Sequence, residues 1–230
     1  VEAAQQAINR STTFLADALN LLGRARYAQN RIPEAIEAYN KSLQSRPEKL
    51  ESYRQLADLQ LSQNLVEEGI KTLEEGRRRN PNNGLAYRDL TLFYAIAANH
   101  EEAIAKGTSA TQLLPDDPVA HMYLCRAYYQ AKRLELAIGS CNSALRLAPG
   151  TGESLLYLAR ATRDLKGPAE AAKIYPQATT SLETYAKDKP EDPDGFFMLG
   201  NAYLDMGKTE DALKAYRKTL ELNPKFARAT

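Results

Sequence analysis

Six arginines recur along this chain at helical, repeat-matched places: Arg24, Arg54, Arg88, Arg126, Arg160 and Arg163. A guanidinium presents a planar fork of donors that fits a carboxylate, so a file of them suits the binding of acidic groups rather than catalysis. Tyr27, Leu92, Met122, Tyr129 and Leu156 interleave with them and add the apolar surface that a peptide site needs. Signatures of nucleophilic, metal or nucleotide chemistry are missing: the sequence has no G-x-S-x-G, H-E-x-x-H, phosphate-binding loop or G-x-G-x-x-G. His100 and His121 keep no metal-ligand spacing with Cys125 and Cys141. The expectation is a non-enzymatic protein without cofactor or metal.

The two cysteines read as small buried thiols, with a lone bridge or a redox switch as the alternative. Unpaired thiols would favour a reducing, cytoplasmic compartment. Lys and Arg number 30 against 29 Asp and Glu, a net charge of +1, which gives no global reason to expect nucleic acid or an anionic membrane. No run of 18 apolar residues occurs, so no membrane-spanning helix is expected.

What positions the arginines is a repeat. Pro47, Pro81, Pro115, Pro149, Pro190 and Pro224 are separated by 34, 34, 34, 41 and 34 residues. Cutting the chain in this register gives units 16–49, 50–83, 84–117, 118–151, 152–192 and 193–226. Each opens with an apolar stripe at helical spacing, such as Tyr87, Leu90 and Tyr94, passes a polar break such as Gln29-Asn30-Arg31, and continues with a second stripe such as Ala212, Tyr216 and Thr219. Each unit is therefore predicted to be two helices, A and B. Asp117-Pro118 and Asp192-Pro193 read as caps before a helix, and Asn64 with Glu67 and Asn99 with Glu102 are spaced like capping boxes. Small residues hold matched places where the helices must approach: Gly23, Ala57, Cys125, Ala159 and Gly200 on A, Ala35, Gly69, Ala103, Ala137 and Ala212 on B.

With large, Leu, small and Tyr places on helix A, then Ala, aromatic, Ala and Pro on helix B, the sequence resembles the tetratricopeptide repeat family. The resemblance implies an all-α fold, a right-handed α-solenoid of antiparallel helix pairs, with the A helices lining a concave groove and stability built from nearest-neighbour interfaces. The large place is never Trp here, Thr91 replaces a small residue and Gly107 an aromatic. Chaperone-tail recognition is not supported, because Asn20 and Arg24 stand where that variety of the family carries Lys and Asn.

In that frame the groove-facing places of helix A can be read down the stack. Six of 18 are Arg, none is Lys and one, Asp58, is acidic, where chain composition would give about two or three basic residues. The expected function is a protein–protein interaction scaffold that binds a protein or peptide segment of acidic character in the groove. Alternatives are the regulatory or assembly arm of a larger enzyme and, less favoured, single-stranded RNA along the arginine stripe. Another use of the stripe is internal, with Arg54 pairing Asp58 one turn on. Arg77-Arg78-Arg79 reads as a complement to a helix C-terminus.

Three local features depart from the repeat. The fifth unit carries seven extra residues, predicted to lengthen helix B by two turns after Gly167-Pro168 with a kink or break at Pro176. Residues 1–15 read as a helix of a preceding unit or a cap, and 227–230 as the start of a truncated next helix. Solenoid ends without a polar cap favour self-association.

Overall fold

Prolines and left-handed turns cut the chain into helices. The computed structural model describes residues 2–226, with side chains from Ser11 onward. The A and B helices alternate as α1 (Glu2–Ala28) and α2 (Ile32–Ser45), α3 (Leu50–Ser62) and α4 (Val66–Arg79), then α5 (Gly84–Ile96) and α6 (His100–Leu113). They continue as α7 (Pro118–Gln130) and α8 (Leu134–Leu147), α9 (Gly152–Lys166) with the short α10 (Pro168–Ala171) and α11 (Tyr175–Asp188), and α12 (Pro193–Asp205) with α13 (Thr209–Leu222). No strand occurs among the described residues.

The six periodic prolines lie in the turns that end each B helix, where the missing N–H and the fixed φ stop the helix. The large place of helix A uses these turns. Tyr53 and Tyr87 donate their hydroxyls over 2.9 Å to the carbonyls of Pro47 and Pro81. His121 places Nε2 2.9 Å from the Pro115 carbonyl, which can only accept, so that nitrogen carries the proton.

Between A and B the chain turns through a left-handed residue: Asn30, Asn64, Ala98 and Lys132 have φ of 56°, 62°, 58° and 60°, and Gly207 has 75°. Asn64 is therefore not a cap. The N-cap of α4 is Leu65, and Asn99, the N-cap of α6, makes no side-chain cap bond, so neither expected capping box forms. Asp117 and Asp192 do cap, accepting from Val119 N at 2.8 Å and Asp194 N at 3.0 Å. Left-handed backbone costs an alanine about 1–2 kcal/mol. Ala98→Gly is thus expected to raise stability by about 0.5–1 kcal/mol once the entropy of the unfolded glycine is deducted, read as a higher urea midpoint at constant slope.

The matched small residues close the helix pairs. Ala35, Ala57, Ala103, Cys125, Ala137 and Ala159 are fully buried. At Gly23 and Gly200, a Cβ would come within 2.7 Å of the Tyr39 and Tyr216 rings, so the aromatic on helix B fills the space a side chain would need. Buried residues form several separate clusters, such as Ala35 with Tyr39, Leu56 and Leu59, and Ala57 with Ile70, Leu73, Leu90 and Phe93. Each fully buried Leu or Phe among them contributes about 1.5–3 kcal/mol relative to exposure. The A helices also touch A helices of the next unit, α3 with α5, α5 with α7 and α7 with α9, and no pair of B helices approaches comparably. The A side is therefore the inner side of the curve.

Four expectations change. First, α1 runs unbroken from Glu2 to Ala28, so residues 2–15 belong to the same helix as the first unit. No glycine or proline precedes Gly23, and nothing breaks the helix there. Its outer face leaves Phe14 and Leu21 76% and 63% exposed. Second, the insertion does not simply lengthen helix B. It forms α10, a turn at 172–174, and α11 with Pro176 in its first turn, because Pro176 has no N–H to continue a bond from the preceding turn. Ala171, Tyr175, Ala178 and Leu182 still share a buried face, while Tyr185 is 39% exposed. Third, Cys125 and Cys141 are not free thiols: they are bonded across α7 and α8, with Cα atoms 5.1 Å apart. Both sit at the small places where A and B meet, which brings the sulfurs together. Closing a 16-residue span is worth about 3 kcal/mol in chain-entropy terms. The compartment inferred from unpaired cysteines loses its premise. The fourth change falls on the arginines of the inner wall. The expected start of a further helix at 227–230 lies outside the described residues.

Candidate functional site: the inner wall

The arginine stripe forms a ladder between successive A helices. Arg54 of α3 pairs with Asp89 of α5 through Nε and with Glu51 at 3.1 Å. Arg88 of α5 reaches Asp117, the cap of α7, at 2.8 Å and Asp89 at 3.1 Å. Arg126 of α7 lies 3.8 Å from Glu153 of α9, and Arg160 of α9 pairs with Asp205 of α12. Arg163 joins the same Asp205 at 3.3 Å and Asp164 at 3.1 Å. Asn20 of α1 begins the series with a 3.0 Å bond to Ser52 of α3. Burial works against the Arg54 charge, and the Asp89 carboxylate more than offsets it, so the guanidinium is held above its ordinary value. Arg160 behaves alike, with Asp205 outweighing burial. Arg126 is only 4% exposed, and its guanidinium, like that of Arg160, lies over the Tyr157 ring at 6.0 and 5.8 Å.

The expectation that these arginines offer unpaired donors to an acidic segment is therefore corrected. Arg54, Arg88, Arg126, Arg160 and Arg163 face the chain's own carboxylates, and Arg54 pairs with Asp89 rather than with Asp58. Arg24 is exposed and makes no hydrogen bond or ion pair among the described residues. Of the apolar set, Leu156 is fully buried and Tyr129 packs on Tyr157 with ring centres 5.7 Å apart, so both serve the core. Tyr27 and Leu92 line open space, whereas Met122 is buried at 8% exposure and edges only a second, smaller cavity. Arg77, Arg78 and Arg79 close α4 as expected, paired with Glu74 and Glu75.

The curve brings its last turn back against the second unit. Asn223 donates Nδ2 to the Ser62 carbonyl at 3.2 Å, and Lys225 donates Nζ to Gln63 Oε1 at 3.1 Å. These bonds across 161 and 162 residues bound one side of an open cavity of about 980 Å³. Tyr27, Asp58, Leu61, Leu92, Tyr123 and Phe226 line it from the A helices and the C-terminal turn. A second cavity of about 570 Å³ adjoins, sharing Leu92 and Tyr123 and adding Met122, Leu182 and Met198. Asp58, the one acid of the stripe, reads from sequence as a partner for Arg54, yet here it opens on the larger cavity. More than a third of its surface meets solvent, but the surrounding walls restrict that solvent. Burial first, then the Asp89 charge, push its carboxyl up to about 7 against the pull of Arg54 and Arg88. Asp58 makes no hydrogen bond or ion pair among the described residues. None of those residues forms a cluster of three or more His, Cys, Asp or Glu able to hold a metal, and no helix among them is long and apolar enough to cross a membrane.

Helix pairs that bury one another's stripes and wall a cavity with their A helices define a solenoid of the protein–protein interaction class. Tetratricopeptide repeat models match residues 193–226, 26–91, and 1–49 with 109–151. The chain belongs to the tetratricopeptide repeat family. The unit with the insertion, 152–192, lies outside the matched segments. Among solved structures, MamA is 20% identical, with a TM-score of 0.62 over 75% of this chain and 94% of that one. PilF of Pseudomonas aeruginosa is 15% identical, with a TM-score of 0.63 over 94% and 96%. YrrB, described as a tetratricopeptide protein with an unusual peptide-binding site, is 18% identical, with a TM-score of 0.50 over 84% and 96%. At these identities the likeness concerns the fold. No curated protein matches the sequence significantly.

Proposed function

We propose that this chain is a non-enzymatic scaffold that holds a segment of a partner protein, extended or helical, against its inner wall. The observation that carries the reading is the apolar surface left open there. Tyr27, Leu61, Leu92 and Tyr123 keep part of their surface accessible, and they converge from four successive units on one cavity. Burying such residues under a partner is where binding energy concentrates. The peptide-binding site named for YrrB, a protein of the same fold, is in keeping with it. The paired arginines of the ladder fix the spacing of the helices that present this surface, and Arg24 stays available at its edge.

The test is selection of peptides from a displayed random dodecapeptide library, followed by titration of the winners. Peptides selected on the wild type are expected to bind Leu92→Gln about tenfold or more weakly, the loss of about 1.4 kcal/mol, with the helical circular dichroism unchanged. Equal binding by Leu92→Gln would reject the inner wall as the site.

A further inference from the structure

The charge that lines the larger cavity has the opposite sign from the one the composition of the inner wall suggests. Six arginines stand on the groove-facing places, yet Arg54, Arg88, Arg160 and Arg163 are closed by Asp89, Asp117, Asp205, Glu51 and Asp164, and Arg126 is buried 3.8 Å from Glu153. The larger cavity is lined by four carboxylates, Asp58, Glu191, Asp192 and Asp194, against one ammonium, Lys225, which is bonded to Gln63 at the rim. Asp192 spends its oxygens on the Tyr185 hydroxyl and the Asp194 amide. Asp58 does not: it lines the cavity without a hydrogen bond or ion pair among the described residues, and the guanidiniums whose charge reaches it, Arg54 and Arg88, are held by Asp89 and Asp117.

We propose that the segment held in this cavity is basic, with a lysine or arginine of the partner pairing with Asp58 while its apolar neighbours lie on Tyr27, Leu61, Leu92 and Tyr123. The proposal rests on the reading of the inner wall as the binding surface and adds the chemical class of the occupant. A cation entering here gains a charge-assisted bond in a space whose walls weaken solvent screening, and it removes the uncompensated carboxylate at the same time. Its aliphatic stem lies along the apolar lining while the head reaches the carboxylate. A partner carboxylate would meet like charge, which costs affinity and disfavours wrong partners. Burial and then the Asp89 charge hold the Asp58 carboxyl up, and a cation at hydrogen-bond distance would lower it.

The same random dodecapeptide library, selected on the wild type with Leu92→Gln as counter-selection, decides it. Enriched sequences are expected to carry net positive charge, to bind Asp58→Asn about tenfold more weakly, and to weaken as salt rises from 50 to 500 mM. Asp58→Asn keeps the side-chain shape, and unchanged circular dichroism confirms that the fold is intact. Neutral or acidic winners, or basic winners that bind Asp58→Asn as well as the wild type, would overturn the assignment while leaving the inner wall as the site. If no winner responds to Leu92→Gln, the binding surface lies elsewhere and the proposal falls with it.

Discussion

Asp205→Ala is expected to destabilise the protein by about 3 kcal/mol, a fall in melting temperature of about 6–12 °C for a chain of this size. Asp205 accepts from both Arg160 and Arg163, and the Asp205 and Arg160 side chains are only 12% and 16% exposed. Removing the acid strands the Arg160 charge between α9 and α12, over the Tyr157 ring, where water reaches it poorly. Arg163 is less affected because Asp164 remains beside it at 3.1 Å. The cost is therefore the penalty of an unpaired buried charge rather than the worth of a contact. The double change Asp205→Leu with Arg160→Met removes both charges and is expected to recover most of the loss. A double variant no better than Asp205→Ala would show that the pair contributes specific attraction beyond mutual neutralisation.

Gly69→Val carries the other large effect. A Cβ at Gly69 would overlap the Phe93 ring, which is 1% exposed and cannot swing away, and would also lie 3.5 Å from the Ala57 carbonyl. Overpacking of this kind costs about 2–3 kcal/mol, and the modest helix propensity that valine gains over glycine does not offset it. Because each unit leans on its neighbours, the damage should be local. Amide exchange and limited proteolysis should accelerate in α3 to α5 before the α9 to α13 end responds. Gly139 supplies the contrast. It is exposed in mid-helix on α8 with nothing within 4 Å of its Cβ position, so Gly139→Ala is expected to stabilise by about 1 kcal/mol. Equal effects at the two glycines would contradict the close-approach account.

What could be read from the residues alone follows from how far each physical signal reaches. The helix pairs were legible because proline spacing, apolar stripes and small residues are periodic along the chain. The capping carboxylates Asp117 and Asp192 were legible because capping is local. The fate of the arginines was not: their partners lie 35, 29 and 45 residues onward, for Arg54, Arg88 and Arg160, and keep no common place in the repeat. A composition count along one face therefore registers the cations and misses the acids that neutralise them. The Cys125–Cys141 bond was hidden for a related reason, since a thiol and a half-cystine fill a small place equally well. The return of the C-terminal turn onto Ser62 and Gln63 depends on curvature accumulated over every interface, which no single unit encodes.

The ladder of Asn20, Arg54, Arg88, Arg126 and Arg160 also has an evolutionary consequence. Each rung faces a different partner, Ser52, Asp89, Asp117, Glu153 or Asp205, at or near the start of the next unit or on its A helix. Repeat proteins lend themselves to duplication and shuffling when every junction is alike. Here the junctions are keyed, and excising or transposing one unit would set an arginine against the wrong neighbour, so the six units form an ordered sentence rather than interchangeable words.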